Sequence, residues 1–155
     1  MAKKKSINGR TFYVYPGLHK DVAEALSDKV TNVWYRGKRS KAVAENEYQT
    51  HVMGKFTCSN GACQTTGWGS KKITIIIRGY SANGYDAKVY NQRCRSCNEL
   101  GTLTLDESSY VDRVAYRIAK WAGLYVNQHH HSAREGPPHR QDLCEGCKAG
   151  VCQRF

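Results

Sequence analysis

The chain has 155 residues, 40% of them hydrophobic, and a formal net charge of +11 at pH 7. This size fits one domain, and the basic balance favours an acidic partner. The longest apolar run, Ile73 to Ile77, is far shorter than the roughly 20 residues that cross a bilayer, and the lysine-rich start is not followed by the apolar run of a secretory signal. We therefore expect a soluble protein without membrane insertion, in the cytoplasm, with the nucleus as an additional site.

The first third of the chain predicts a tail and a small extension. Residues 1–11 are polar and lysine-led, which indicates a basic flexible tail. Apolar residues at four-residue spacing predict a helix from Leu18 to Lys29, and Val33 to Tyr35 predicts a short strand. We expect residues 12–47 to pack on a zinc-binding domain formed by residues 48–155, in a single compact unit.

The middle of the chain predicts strands. His51 to Cys58 reads as a strand that ends on a cysteine, and Lys72 to Tyr80 is rich in β-branched residues. A second run from Tyr85 to Arg93 follows an Asn83-Gly84 pair, which is a hairpin signal. Thr102 to Leu105 predicts a further strand. The order of these elements predicts an antiparallel sheet.

The last third begins with an amphipathic segment. Apolar residues recur on one face from Ser108 to Asn127, with Asp106 or Ser108 as the N-terminal cap, and predict a long helix. Its apolar stripe is expected to pack on the sheet; a partner's groove is the alternative. Residues 128–138 contain three consecutive histidines and two prolines, and we interpret them as a linker with surface histidines. The predicted fold class is α+β: a small zinc-stabilised, zinc-ribbon-like antiparallel sheet with one long helix and a shorter N-terminal helix.

Seven cysteines in closely spaced groups indicate metal ligands, since an odd number argues against complete disulfide pairing. Zinc takes four N or S ligands, so seven cysteines and one histidine predict two Zn²⁺ ions. Strand, turn, hairpin, turn is a ribbon-like order that assigns the first four cysteines to one site; the remaining ligands form the second. Cross-bracing of Cys144 and Cys147 with an upstream pair satisfies the same count. The two predicted sites are Cys58, Cys63, Cys94 and Cys97, and His139, Cys144, Cys147 and Cys152.

Catalysis is not expected from this ligand set. Closed cysteine-rich sites are structural, whereas a zinc hydrolase or deaminase needs an open coordination position and a carboxylate base. The chain has neither H-E-x-x-H nor H-x-E followed by P-C-x-x-C. A thioredoxin-like role for Cys94 and Cys97 leaves five cysteines unexplained. The sequence therefore predicts a binding module and not an enzyme.

The motifs resemble those of the 3CxxC-type zinc fingers, which are shared by the receptor-transporting proteins, the zygote arrest proteins and many small fungal proteins. The resemblance lies in Gly54 to Cys58 with the following Trp68, in Gln92 to Cys97, and in Pro138-His139 with the closing cysteines. It implies that His139 completes a zinc set. The spacing Cys58-x4-Cys63 departs from the two intervening residues usual in the family.

The family resemblance implies two kinds of function. Zygote arrest members resemble RNA-binding translational regulators, and receptor-transporting members resemble membrane-anchored chaperones. Because the chain ends three residues after Cys152 without an apolar anchor, we expect the membrane role to transfer poorly.

Our leading hypothesis from the sequence is binding to single-stranded RNA. Aromatic residues interleaved with basic ones can stack on bases while the cations neutralise phosphates. The core competes for the same aromatic residues, so the alternative is a protein adaptor or chaperone that uses this surface or the helix from Ser108. The predicted RNA-binding residues are Trp34, Tyr35, Arg36, Lys38, Arg39, Trp68, Lys71, Lys72, Tyr85, Lys88 and Arg93.

Overall fold

The computed structural model describes residues 10–37, 40–58, 60, 62–63, 67–124 and 141–149. Three-residue 3-10 turns precede the first helix and the last one and join two strands of the sheet. The strands are β1 Phe12–Tyr13, β2 Trp34–Tyr35, β3 Asn46–Cys58, β4 Trp68–Tyr80, β5 Gly84–Tyr90 and β6 Gly101–Leu105, and the helices are α1 His19–Ala25, α2 Glu107–Trp121 and α3 Glu145–Lys148.

The six strands form one sheet in the order β1-β5-β4-β3-β6, with β2 attached to β5. All strand pairs are antiparallel except β2 with β5, which is parallel. The long helix α2 and the shorter α1 contact each other, and α2 packs against β3 and β4. The predicted α+β class with a zinc-ribbon-like antiparallel sheet and two helices of unequal length is confirmed.

Strand β4 is buried on both faces, which explains its nearly continuous β-branched sequence. Ile73, Ile75 and Ile77 belong to the core beneath the helices, and the alternate residues Thr74 and Ile76 are also buried. Strand β3 pairs with β4 almost along its whole length. Both strands are therefore longer than predicted, because cross-strand pairing continues beyond the apolar residues that marked them.

The long helix begins where the sequence predicted and ends earlier. The Asp106 side chain accepts a hydrogen bond from the backbone N–H of Ser109 and so caps α2. Gly123 takes the left-handed conformation at φ +85°, and Leu124 N–H donates to the carbonyl of Ala119. This glycine ends the helix after Trp121; the predicted extension to Asn127 lies partly outside the described residues.

The N-terminal helix is also shorter than predicted. Regular α-helix covers His19–Ala25, preceded by a 3-10 turn from Pro16 to Leu18, and residues 26–29 form a turn. The four apolar residues at four-residue spacing, from Leu18 to Val30, are nonetheless all buried. The spacing correctly marked the face that packs on the core and overestimated the length of the helix.

The β4–β5 connection differs from the predicted Asn-Gly turn. Ala82 and Asn83 have φ values of 60° and 68°, whereas Gly84 has an extended φ of −85°. Gly84 is needed for another reason, since a Cβ atom there would overlap the ring of Trp34. Within the part of the chain that the structure describes, no helix is both long and apolar enough to cross a membrane.

Candidate metal centre

Four cysteine sulfurs meet at one end of the sheet. The Sγ atoms of Cys58, Cys63, Cys94 and Cys97 all lie within 4.8 Å of one another. The Sγ atoms of Cys58 and Cys97 are 3.5 Å apart, and those of Cys63 and Cys94 are 3.8 Å apart. Tetrahedral zinc with Zn–S bonds near 2.3 Å requires sulfurs about 3.8 Å apart. The donor set and its spacing therefore fit one structural zinc ion.

Two turns bring these sulfurs together. In the first, the Asn60 carbonyl accepts from Cys63 N–H at 3.0 Å, and Asn60 Oδ1 accepts from Ala62 N–H at 3.0 Å. In the second turn, the backbone N–H of Asn98 donates a hydrogen bond to the Cys94 carbonyl at 2.7 Å. The Asn60 turn accommodates the four-residue spacing of the first pair.

Bringing four thiols together has an electrostatic consequence. Burial raises the pKa of the Cys58 thiol to about 12; a backbone hydrogen bond with Asn60 lowers this pKa, and hydrogen bonds with the neighbouring thiols raise it. A thiolate in this cluster therefore needs a compensating cation. Zinc supplies that charge and takes the thiolate form of each ligand.

Half of the predicted second site is described. Cys144 is buried and Cys147 is partly buried, and the backbone N–H of Cys147 donates to Cys144 Sγ at 3.4 Å. The other two predicted ligands, His139 and Cys152, lie outside the described residues. The first four cysteines gather without Cys144 and Cys147, so this cluster has four sulfur ligands without the cross-braced arrangement.

The Cys144–Cys147 turn is fixed to the sheet on the face opposite the helices. Thr74 Oγ1 lies 3.6 Å from Cys144 Sγ, and a Cβ atom at Gly146 would come within 2.7 Å of the Thr74 side chain. Gln92 forms a β-bridge with Cys144, and Glu145 N–H donates to the Asn91 carbonyl at 3.1 Å. Sequence reasoning missed these contacts, because a β-branched threonine in a strand gives no sign of what covers it.

The aromatic residues predicted to stack on RNA bases are largely used by the fold. Trp34 covers Gly84 and donates from Nε1 to the Ala82 carbonyl at 3.0 Å. Tyr35 makes an edge contact with Tyr85, at a centroid distance of 5.4 Å. Tyr85 is fully buried, so its predicted role in base stacking is wrong: the alternation of β5 places it beneath the helices.

Trp68 is also held by the core of the domain. Its ring stacks on Phe56 at 5.1 Å, and its Nε1 donates to Gln92 Oε1 at 3.1 Å. Lys71 and Lys72 are partly buried at an irregularity where β4 faces Met53 of β3. These contacts leave little aromatic surface in this region for a base.

The remaining predicted cations have mixed surroundings. Arg36 donates to the Ser40 carbonyl and lies 3.6 Å from Asp86, while Lys88 lies over the Phe12 ring at 4.6 Å. Arg93 is paired with Glu145. Lys38 and Arg39 lie outside the described residues. Among the described members of this set, the aromatic and basic side chains therefore do not form one open surface.

A small antiparallel sheet whose end is joined by four cysteines defines a zinc-ribbon type of module. The family described as a zinc-binding domain, with the ribbon pattern 3CxxC, matches residues 51–150, and the chain belongs to this family. The chain is also similar to Receptor-transporting protein 1 of Mus musculus, with 28% identity over 120 residues. That alignment covers 66% of this chain and 43% of the relative, so the chain spans less than half the length of that protein. No solved structure matches the chain.

Proposed function

We propose that this protein is a non-catalytic, zinc-stabilised module that binds a protein partner. The observation that carries the proposal is the use of Trp34, Tyr35, Trp68 and Tyr85 in contacts within the fold, which leaves little of the stacking surface that RNA binding requires. The name of the mouse relative, a receptor-transporting protein, supports a protein partner over a nucleic acid. The closed set of four cysteine sulfurs supports a structural use of the metal.

We propose a second zinc ion held by Cys144 and Cys147 together with His139 and Cys152. Two cysteines separated by two residues can reach one ion from a tight turn. The contact of Cys147 N–H with Cys144 Sγ supports this arrangement, because backbone donors stabilise thiolate ligands. In this proposal, both zinc ions stabilise the fold.

Affinity capture followed by nuclease treatment tests the proposed function. The zinc-loaded full chain should retain a stoichiometric protein partner after RNA has been digested. A titration with a pool of single-stranded RNAs provides the opposing measurement, because RNA binding weakens steeply as the salt concentration rises. Loss of every partner on nuclease treatment, with salt-sensitive binding to the pool, would reverse the proposal in favour of RNA.

A further inference from the structure

An open stretch of strand lies at the edge of the sheet. From Gly54 to Phe56, β3 pairs with β4 on one side and β6 on the other, but from Asn46 to Val52 it pairs only with β4 among the described strands. Helix α2 covers part of this free edge: Met53 N–H donates to Ser109 Oγ, and Arg113 Nε donates to the His51 carbonyl. The edge from Asn46 to Thr50 has no such cover among the described residues.

The backbone of this open edge is arranged to pair with another strand. The N–H and C=O groups of Met53 both point away from β4, towards Ser109 and Asp106. The His51 carbonyl also faces this side, because it accepts from Arg113 Nε. Since β3 pairs regularly with β4 from Asn46 to Val52, the alternating backbone groups of Gln49 and Glu47 point to the same open side. An extended peptide can bond to such an edge, which is the mode of recognition called β-strand addition.

A stripe of cations on α2 lies beside the open edge. Arg113, Arg117 and Lys120 recur at helical spacing, with Tyr116 between them. The guanidinium carbon of Arg117 lies 3.4 Å from the centre of the Tyr48 ring and 5.7 Å from the centre of the Tyr116 ring. Tyr48 belongs to β3, so this contact places the cation directly at the open edge.

Arg117 has a buried guanidinium nitrogen that is not hydrogen-bonded. Its Nε atom is shielded from solvent and has no hydrogen-bond partner among the described residues. The two tyrosine rings hold the guanidinium by cation–π contact, and the Arg117 side chain is partly exposed, so a ligand can reach it. The carboxylate of Glu47, which precedes Tyr48 in β3, is already paired with Arg78 at 3.6 Å.

Charge identifies the kind of occupant. The residues outside the described part of the chain carry only one acid, Glu135, and several Lys and Arg residues; they are residues 1–9, 38–39, 59, 61, 64–66, 125–140 and 150–155. A basic stretch of the same chain is poorly matched to a basic stripe, so the complementary charge comes from another molecule. A planar guanidinium fixed beside open backbone groups suits a carboxylate on an extended peptide, whereas RNA offers no main-chain partner for a strand edge.

We propose that the β3 edge from Asn46 to Thr50 and the cations Arg113, Arg117 and Lys120 form a docking surface for an extended acidic segment of a protein partner. The segment adds a strand to β3, and one of its carboxylates pairs with Arg117. This proposal rests on the proposed protein-binding function and assigns it a surface and a chemical class of partner.

The test uses the zinc-loaded full chain and a synthetic probe, an eight-residue peptide of alternating Thr and Glu with blocked ends. Two matched probes replace Glu with Gln, or methylate alternate backbone nitrogens to block strand pairing. Binding is followed by NMR through the backbone amide signals of Glu47 and Gln49 and the Nε–H signal of Arg117. The protein variants are Arg117→Ala, Arg117→Lys and the control Lys55→Ala, which removes an exposed cation from the β6-paired part of β3. Zinc content and the remaining amide signals verify that each variant is folded.

The expected result is binding of the Glu probe with shifts at these positions and loss of binding for both matched probes. Arg117→Ala should weaken binding by roughly tenfold, since a charge-assisted hydrogen bond contributes about 1.5 kcal/mol or more. Arg117→Lys should fall between this variant and the native chain, and Lys55→Ala should match the native chain. Absence of binding, equal binding of the Gln probe, or an unchanged affinity in Arg117→Ala would each overturn the docking surface.

The outcome for the surface can be separated from that for the proposed function. If the captured protein partner is retained equally by Arg117→Ala, the docking surface is wrong and the protein-binding function stands. If a single-stranded RNA displaces the Glu probe and shifts the same signals, the surface recognises nucleic acid and the peptide proposal is wrong.

Discussion

Arg93 donates a hydrogen bond from Nε to Oε2 of Glu145 at 2.7 Å, across 52 residues of sequence. Arg93 precedes the Cys94–Cys97 turn and also donates to the Asn98 carbonyl at 2.9 Å, while Glu145 lies between Cys144 and Cys147. One ion pair thus joins the two cysteine turns. Because Glu145 is buried and Arg93 is only partly exposed, the pair is shielded from solvent more than a surface pair is.

Glu145→Gln should lower the free energy of unfolding by about 1–3 kcal/mol, because it leaves the Arg93 guanidinium without its counter-charge. The matched change is Lys148→Gln, which removes an exposed cation 3.6 Å from the same carboxylate and should cost less than about 0.5 kcal/mol. Urea denaturation at saturating zinc measures both. If the two variants lose the same free energy of unfolding, the Arg93 contact does not stabilise the protein more than the Lys148 contact does.

The metal content should separate the two zinc sites. The native chain should contain two Zn²⁺ per molecule, and Cys58→Ser and Cys147→Ser should each contain one, since a missing sulfur leaves its own site with three ligands. Elemental analysis of the purified proteins measures this. Removal of all zinc by a chelator should unfold the domain from Tyr48 onward, visible in its circular dichroism. Full zinc content in Cys147→Ser would refute the second site.

Tyr110→Phe should stabilise the protein by about 1 kcal/mol at neutral pH. The Tyr110 side chain is fully buried, and its hydroxyl has no hydrogen-bond partner among the described residues. Removing the hydroxyl therefore removes an uncompensated burial cost of a polar group. Thermal and urea unfolding measure the change, and a clear loss of stability would show that the hydroxyl has an important partner.

Because of the same tyrosine, the free energy of unfolding should depend on pH in the alkaline range. Burial raises the pKa of Tyr110, with neighbouring tyrosines contributing, and burial likewise raises the pKa of Tyr85 and Tyr15. Above a pH of about 10 the unfolded chain loses these protons first, so it binds fewer protons than the folded chain and stability falls as the pH rises. Stability is unaffected by these groups below that pH. Tyr110→Phe should reduce the slope by up to about 1.4 kcal/mol per pH unit, and an unchanged slope would contradict the assignment.

Gly84→Ala should destabilise the chain by roughly 1–3 kcal/mol, because the added methyl group overlaps the Trp34 ring. Gly17→Ala is the matched control, since its Cβ meets no atom within 4 Å and the change reduces the freedom of the unfolded chain. Denaturation followed by tryptophan fluorescence reports both stability and the surroundings of Trp34. If both substitutions behave alike, the close approach of the ring to Gly84 is unimportant.

Local patterns predicted the elements and the first cluster of cysteines. The spacing of Cys94 and Cys97, the β-branched run of β4 and the capping residue Asp106 each depend on chemistry within a few residues. Helix α2 ends earlier than predicted for an equally local reason, the left-handed backbone conformation of Gly123.

Other features depend on residues that are distant in sequence. The parallel pairing of β2 with β5 joins Trp34 to Gly84, and no alternation of polar and apolar residues reports such a pairing. Tyr85 looked available for stacking because tyrosine is amphipathic, and only its position beneath the helices excludes that use. The contact of Arg117 with Tyr48 likewise requires the packing of α2 on β3.

Cys63 and Cys94 are 31 positions apart in the sequence, and the whole β4–β5 hairpin lies between them, so the two halves of the first cysteine cluster meet across that hairpin. During synthesis on the ribosome, the four-cysteine site can therefore bind its metal only after Cys97 has been synthesised. Until then, Cys58 and Cys63 are reactive thiols. During that interval they are open to oxidation and to other thiophilic ions. Production of the protein with intact sites should therefore depend on reducing conditions and on zinc present during synthesis, and not only on zinc added afterwards.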